Sequence, residues 1–357
     1  MAKMKRILIT GGAGFVGSNL AIYLKNHFEG SSITALDNLY RKGSELNLPR
    51  LEEHGVDFIN GDVRKISDLR KAGKIDFLIE CSAEPSVLAG SDGNTNYLIE
   101  TNLNGAINCA EVCRENNAGM IFLSTSRVYP MAPLVNASIT EKETRFNFDK
   151  QQAVPGLSEL GVSEKFPMDG ERSLYGATKY SAEIILNEYR SLFNIPIVIN
   201  RCGVIAGPWQ FGKADQGIAA FWTAAHIFKK PLKYIGFGGT GKQVRDFLHI
   251  DDLAVLIALE LESSEKFSNE GFFNIGGGSG TSASLLELTK ICESTSGNSI
   301  GITPESTTRY ADIPVYISDN SKISAFCGWS PLKTMENIIT DIHSWILKTP
   351  SITNLYR

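Results

Sequence analysis

Tyr175 and Lys179 stand four residues apart in Tyr175-Gly-Ala-Thr-Lys179, a spacing that puts both on one face of a helix. A phenol beside an ammonium is a candidate proton acceptor. A free tyrosine has a pKa of about 10 and is a poor base at neutral pH, so bringing it to about 7 takes roughly 4 kcal/mol of differential stabilisation. A desolvated cation favours the phenolate and can supply that amount. Alone, the pair is a common coincidence. A second group, Ser124-Thr125-Ser126-Arg127-Val128-Tyr129-Pro130, follows the apolar run 120–123, which reads as a buried strand. A strand that ends in hydroxyls, a cation and a tyrosine delivers side chains to a site, here with no carboxylate beside Thr125 or Arg127.

The third group is Thr10-Gly-Gly-Ala-Gly-Phe-Val-Gly17, between an apolar β-prone run and a helical one. Gly11, Gly14 and Gly17 let the backbone turn tightly and approach a pyrophosphate, which then sits on the N-terminus of the next helix. Phe15 and Val16 lie within this motif and are counted with the cofactor site, although their side chains read as core or loop-packing residues. The spacing is Gly-x-x-Gly-x-x-Gly. The second strand ends at Asp37, a carboxylate that accepts from ribose hydroxyls and repels a 2′-phosphate, which selects NAD over NADP. Arg41 and Lys42 lie close by and weaken that selection. Asp62 and Val63 close the third strand, where an acid and an apolar side chain suit an adenine. With a dinucleotide turn upstream, the Tyr175/Lys179 pair reads as catalytic.

These groups need a scaffold. Runs 6–10, 32–36, 57–60, 77–80, 119–124 and 197–200 read as strands, and 19–28, 102–114 and 175–192 as helices. The alternation predicts βαβ units in an α/β fold: a Rossmann-type, doubly wound parallel sheet with helices on both faces. Beyond Arg201 glycine becomes frequent and the segments irregular, which predicts a smaller C-terminal α/β lobe for the substrate. The expected domains are 1–201, to which 243–262 returns, and 202–357. The stretch 130–170 lacks periodicity, and a loop of that length is usually functional or disordered.

Bulk properties narrow the classes. The chain has 357 residues, 43% of them hydrophobic and 21% charged. That is enough for a core without staples. A net charge of −4 gives no global field for nucleic acid or an acidic membrane surface. The six cysteines (81, 109, 113, 202, 292, 327) make no CxxC pair and read as reduced thiols. The basic start precedes only Ile7-Leu8-Ile9, too short for a signal peptide, and no run approaches a membrane span. A cytoplasmic protein is expected. The histidines at 27, 54, 226, 249 and 343 lack ligand spacing, so no metal is expected, and His249 reads as structural.

The glycine turn, Asp37, Asp62-Val63, Thr125 four residues before Tyr129, and Tyr175-x-x-x-Lys179 together resemble the extended short-chain dehydrogenase/reductase family acting on sugar nucleotides. The resemblance runs from about residue 5 to about residue 345. It implies an NAD-dependent sugar-nucleotide epimerase in which Tyr175 removes a hydroxyl proton while hydride passes to NAD. Thr125 would bond the same sugar oxygen. It adds Asn38, Gly43, Ser82, Ala83 and Asn102 to Arg41 and Lys42 as cofactor contacts. Arg245 and Arg309 match arginines that grip the nucleotide diphosphate, an anion that wants charge-assisted bidentate donors. Members that dehydrate sugars carry Asp-Glu or Glu just after the threonine. Here Ser126 and Arg127 stand there, which argues against 4,6-dehydration and leaves oxidation and reduction at one carbon. Arg127 would bind a hydroxyl, polarise a carbonyl, or serve only as a strand-end cation, and Gln210 would close the far side.

Within the family, the stretches 39–48, 125–129, 207–217, 241–249 and 273–278 are most similar to the CDP-tyvelose (CDP-paratose) 2-epimerase group. Departures are Glu80-Cys-Ser-Ala-Glu-Pro85 in place of a His-x-Ala strand end, Pro130, and Cys202 with Val204. The expected substrate is a nucleotide-diphosphate sugar. Competing readings are a UDP-sugar 4-epimerase, a GDP-sugar epimerase or reductase, and a non-catalytic dinucleotide-binding protein. The family also implies a homodimer through the helices 102–114 and 175–192, the second carrying Ile184, Ile185, Leu186, Tyr189 and Leu192.

Overall fold

The computed structural model describes residues 4–90, 93–212 and 216–356. Its chain divides into two units. The first holds Met1–Thr125, Leu174–Arg201 and Leu253–Phe272, and the second Ser126–Ser173, Cys202–Asp252 and Phe273–Arg357.

The main sheet has seven strands: β1 (Arg6–Thr10), β2 (Ser32–Asp37), β3 (Asp57–Asn60), β4 (Phe77–Glu80), β5 (Gly119–Thr125), β6 (Ile197–Cys202) and β7 (Phe272–Ile275). Their order is β7-β6-β5-β4-β1-β2-β3. The pairs β1–β2, β1–β4, β2–β3 and β4–β5 are parallel. The chain passes from the first unit to the second within β7. The order reverses at β1, so the crevice beyond the C-terminal ends of β1 and β4 is the switch point where such sheets bind ligands. Register aligns those ends, with Thr10 opposite both Leu36 and Glu80. The helices that matter are α1 (Phe15–His27), α2 (Gly105–Asn116), α3 (Leu174–Phe193) and α4 (Ile250–Glu262). Leu8, Leu36, Leu78, Met120, Phe122, Ile197 and Ile199 of the strands pack with Cys109 and Cys113 of α2 and Ala182 and Leu186 of α3.

The second unit has a four-stranded sheet, in which Val244–His249 pairs with Val204–Ala206, Ser282–Ser284 and Val315–Tyr316. It also has the helices Ile218–Ile227, Leu285–Ser296 and Met335–Lys348. It is comparable in length to the first rather than smaller.

Two domain boundaries differ from expectation. Residues 126–173 go with the second unit, not with 1–201. The stretch 130–170 is ordered into two hairpins, Ile139–Glu141 with Phe146–Phe148 and Leu157–Ser158 with Gly161–Val162. It is tied to the second unit by Val162 N–H to Ile317 O (2.8 Å), Phe146 N–H to Lys242 O (2.9 Å) and Asn274 Nδ2 to Val162 O (2.8 Å). The returning segment begins at Leu253, not at 243, because Val244–His249 pairs inside the second unit's sheet. From Leu253 onward the chain serves the first unit: Leu261 O accepts from Lys5 Nζ at 3.1 Å, and Glu260 accepts from Asn200 Nδ2 at 2.9 Å.

Candidate active site

Helix α1 begins one residue after Gly14, which supplies no side-chain cap, and its first turn carries no acidic residue. The N–H groups of that turn are therefore an anion site. The turn before it is packed to the limit. A Cβ on Gly17 would sit 2.3 Å from the Gly11 carbonyl oxygen, and one on Gly11 would lie 2.8 Å from the Cys81 carbonyl. Gly12, missed in the sequence, is as constrained, since its Cβ would come within 2.6 Å of the Ala35 Cβ.

Asp37 closes this turn from β2. Its carboxylate accepts from Ala13 N–H at 3.2 Å and Leu39 N–H at 2.8 Å. Burial pushes its pKa up, against these N–H bonds that pull it down. Asn38 Nδ2 donates to Asp62 at 3.0 Å. Arg64 grips the same carboxylate at 2.6 Å, and this hydrogen bond chiefly holds the Asp62 pKa down at about 2. Arg64 also lies 4.9 Å over the ring of Tyr97, which meets Tyr40 at 4.8 Å. Sequence reasoning did not find Arg64, Tyr40 or Tyr97. Val63 is buried, and its carbonyl takes Asn108 Nδ2 at 2.8 Å. Arg41 is half-buried and Lys42 exposed. Gly43 takes a left-handed φ of 99°. Further along, Asn47 Nδ2 donates to Ala13 O at 2.9 Å, tying the loop after β2 to the glycine turn.

Ser82 and Ala83 are half-buried just past β4. The loop they open is fixed by Asn102, whose amide takes Glu84 N–H at 2.8 Å and donates to Glu84 O at 3.1 Å. Asn102 sits in a π-helical turn, Glu100–Asn104, and not at the start of a regular helix. It also reaches Thr178 Oγ1 at 3.4 Å, so it joins this loop to α3.

Helix α3 buries Tyr175, Thr178, Lys179, Ala182, Glu183 and Leu186, one face at the 3–4 spacing. Tyr175 and Thr125 are each 8% exposed. Lys179 Nζ bonds Glu80 Oε2 at 3.1 Å, with both side chains 2% exposed. One turn on, Glu183 accepts from Arg201 at 2.6 Å and from Ser124 Oγ at 2.5 Å. Glu80, Glu183 and Arg201 were missed. Their signal was there: Tyr175, Lys179 and Glu183 fall at i, i+4 and i+8, and charges on a buried helix face demand partners.

In the second unit, Arg127 and Arg245 converge on the loop 309–313. Arg127 Nη1 donates to Ala311 O at 3.0 Å, and Arg245 Nη2 bonds Asp312 at 2.6 Å. Arg309 is exposed in the same loop, its carbonyl accepting from Asp312 N–H at 3.2 Å. Gln210 Nε2 donates to Ile205 O at 2.9 Å, and residues 213–215 of the stretch 207–217 lie outside the described residues. His249 is buried, with Asp251 N–H donating to its Nδ1 at 3.0 Å.

Residues 7–276 match the NAD dependent epimerase/dehydratase family. The chain belongs to this family. Its fold is that of the family's solved members, and its cofactor is NAD, which the uncapped α1 terminus, the packed glycine turn and Asp37 fit. CDP-paratose 2-epimerase of Salmonella typhi is 31% identical over 348 residues, covering 95% of this chain and 98% of that one. The UDP-glucuronic acid 4-epimerase of Bacillus cereus, solved with UDP-glucuronic acid and NAD, aligns with a TM-score of 0.74 at 27% identity over 96% of this chain and 99% of that one. The UDP-glucose 4-epimerase of Thermus thermophilus, solved with NAD, gives 0.76 at 25% identity over the same shares. Among the described residues no helix is long and apolar enough to cross a membrane.

Proposed function

We propose that this member of the family epimerises a CDP-deoxyhexose at C2 of the sugar. NAD, when bound, supplies reversible removal and return of a hydride. Tyr175 takes the proton of the reacting hydroxyl and later returns it. Thr125, at the end of β5, bonds the same oxygen. Lys179 supplies the positive charge that favours the phenolate. The N–H groups of α1 and the glycine turn would hold the cofactor's pyrophosphate, and Asp37 its ribose. Arg245 and Arg309 grip the substrate diphosphate, Arg127 orients the sugar from the strand end, and Gln210 borders it. With both phosphates fixed, the keto-sugar is free to present its other face.

The observation that carries epimerisation over dehydration is Ser126-Arg127 after Thr125. Neither residue can act as the acid or base of a water elimination. C2 and CDP are supported by the near full-length similarity to CDP-paratose 2-epimerase, which exceeds the similarity to the two UDP-sugar 4-epimerases. Those two favour the second reading, 4-epimerisation of a UDP-sugar. A substrate deuterated at C2 separates them: slowed turnover supports this proposal, and an isotope effect at C4 alone replaces it with the second reading.

A homodimer through α2 and α3 belongs to the same reading. Ile184 and Leu192 are 50% and 74% exposed and would be covered. Leu186, fully buried, and Tyr189, bonded to Glu111 at 2.5 Å, serve the subunit's own packing. Light scattering giving a monomer mass at micromolar concentration would remove this part.

A further inference from the structure

The carboxylate that pairs with Lys179 has no place in the mechanism above. Glu80 is the last residue of β4, 1% exposed, with Lys179 Nζ 3.1 Å from its Oε2. The ring of Phe122 also lies close to the Lys179 ammonium, 4.0 Å from Nζ to centroid, and offers a negative face but no counter-charge. Glu80 also accepts from the N–H of Ser82, in the loop that Asn102 fixes. From α2 the titratable group facing Glu80 is Cys109, whose thiol burial pushes well above its ordinary range, so it stays neutral. Burial raises the Glu80 carboxyl as well, and Lys179 pulls it back.

We propose that Glu80 is a positioning residue for Lys179: its carboxylate fixes the ammonium one helical turn from Tyr175 and keeps it charged there. The inference rests on reading Tyr175 and Lys179 as the proton-handling pair. A buried ammonium without a counter-charge gives up its proton readily. A neutral amine no longer favours the phenolate. Glu80 therefore sets the pH range over which Tyr175 acts as a base, without itself touching the substrate. A pair that merely pins α3 to β4 would cost stability when broken, yet leave the tyrosine's titration where it was.

The test follows Tyr175 directly. Phenolate absorbance of the full-length protein is titrated against pH, with the Tyr175→Phe trace subtracted, so that no substrate is needed. The wild-type difference should show a phenolate well below the ordinary tyrosine range. In Glu80→Gln it should move up by roughly 1–2 pH units, with Glu80→Asp in between. Turnover of Glu80→Gln should fall about tenfold or more in kcat with KM within about twofold, the loss being largest below the shifted phenolate range and shrinking as pH rises through it. Superimposable wild-type and Glu80→Gln traces overturn the proposal. If Glu80→Gln does not fold, Glu80→Gln/Lys179→Met removes both charges, and its trace should coincide with that of Lys179→Met. A further shift on that background shows that Glu80 does not act through Lys179. A wild-type Tyr175 that titrates like a free tyrosine refutes the proton-handling pair itself, and the proposal with it. A lowered wild-type value with no response to Glu80→Gln refutes the proposal alone.

Discussion

Gly17→Ala adds one methyl group to the first turn of α1. Its Cβ would stand 2.3 Å from Gly11 O, 2.8 Å from Gly11 C and 2.8 Å from Gly12 Cα, all backbone atoms. No rotamer relieves that overlap. Ordinary contact needs about 3.4 Å, so the helix and the glycine turn must part by about 1 Å. The N–H groups of the turn and the helix terminus then no longer converge on one pyrophosphate, and a misplacement of about 1 Å can cost roughly a hundredfold. The expected result is a Kd for NAD raised about a hundredfold, read by calorimetry on protein stripped of nucleotide. The control is Gly301→Ala, where an added Cβ meets nothing within 4 Å and affinity should not change. Wild-type NAD affinity in a folded Gly17→Ala would refute the account of the dinucleotide site.

Three further outcomes follow. Tyr175→Phe should lower epimerisation by roughly 10²–10⁴-fold while bound NAD is retained, checked by chromatography of the heat-released nucleotide. Asp37→Asn keeps an acceptor for only one of the Ala13 and Leu39 N–H groups, which bond different carboxylate oxygens, and loses the charge, so the preference for NAD over NADP should shrink by about tenfold, measured as a ratio of dissociation constants. Glu260 is fully buried and its pKa is raised from 4.5 to about 8 by burial. The folded state thus keeps a proton that the unfolded chain releases above 4.5, and stability from this group is lost as pH rises from there to about 8, by roughly 1 kcal/mol per pH unit. The stability difference between Glu260→Gln and wild type should grow across that window in denaturant melts, and a constant difference would count against it.

Much of the site was legible because its parts are local. The glycine turn, Asp37 and the Tyr175/Lys179 spacing are each read within one strand–turn–helix, where period and turn chemistry suffice. Strand ends were legible to within a residue or two for the same reason. What was not legible depends on pairing across the sequence. The hairpins within 130–170 have strands of two or three residues, too short for any period to show, and their anchors lie at 242, 274 and 317. Glu80 stood out only as a departure from a familiar strand end, because its partner is 99 residues away. Asn102 read as the start of a regular helix because a π-turn leaves no mark in an apolar pattern. Arg127 was legible as a strand-end cation, whereas its bond to Ala311 required the fold.

The central claim is that hydrogen leaves and returns to one sugar carbon without exchanging with water. Incubating the purified protein in D₂O, without added cofactor, with CDP-, UDP-, GDP- and dTDP-sugars in turn tests it by proton NMR. The account predicts one epimer pair, from a CDP-sugar, with the inverted carbon keeping its proton. Deuterium appearing at that carbon, or no epimer from any of the four, would contradict it.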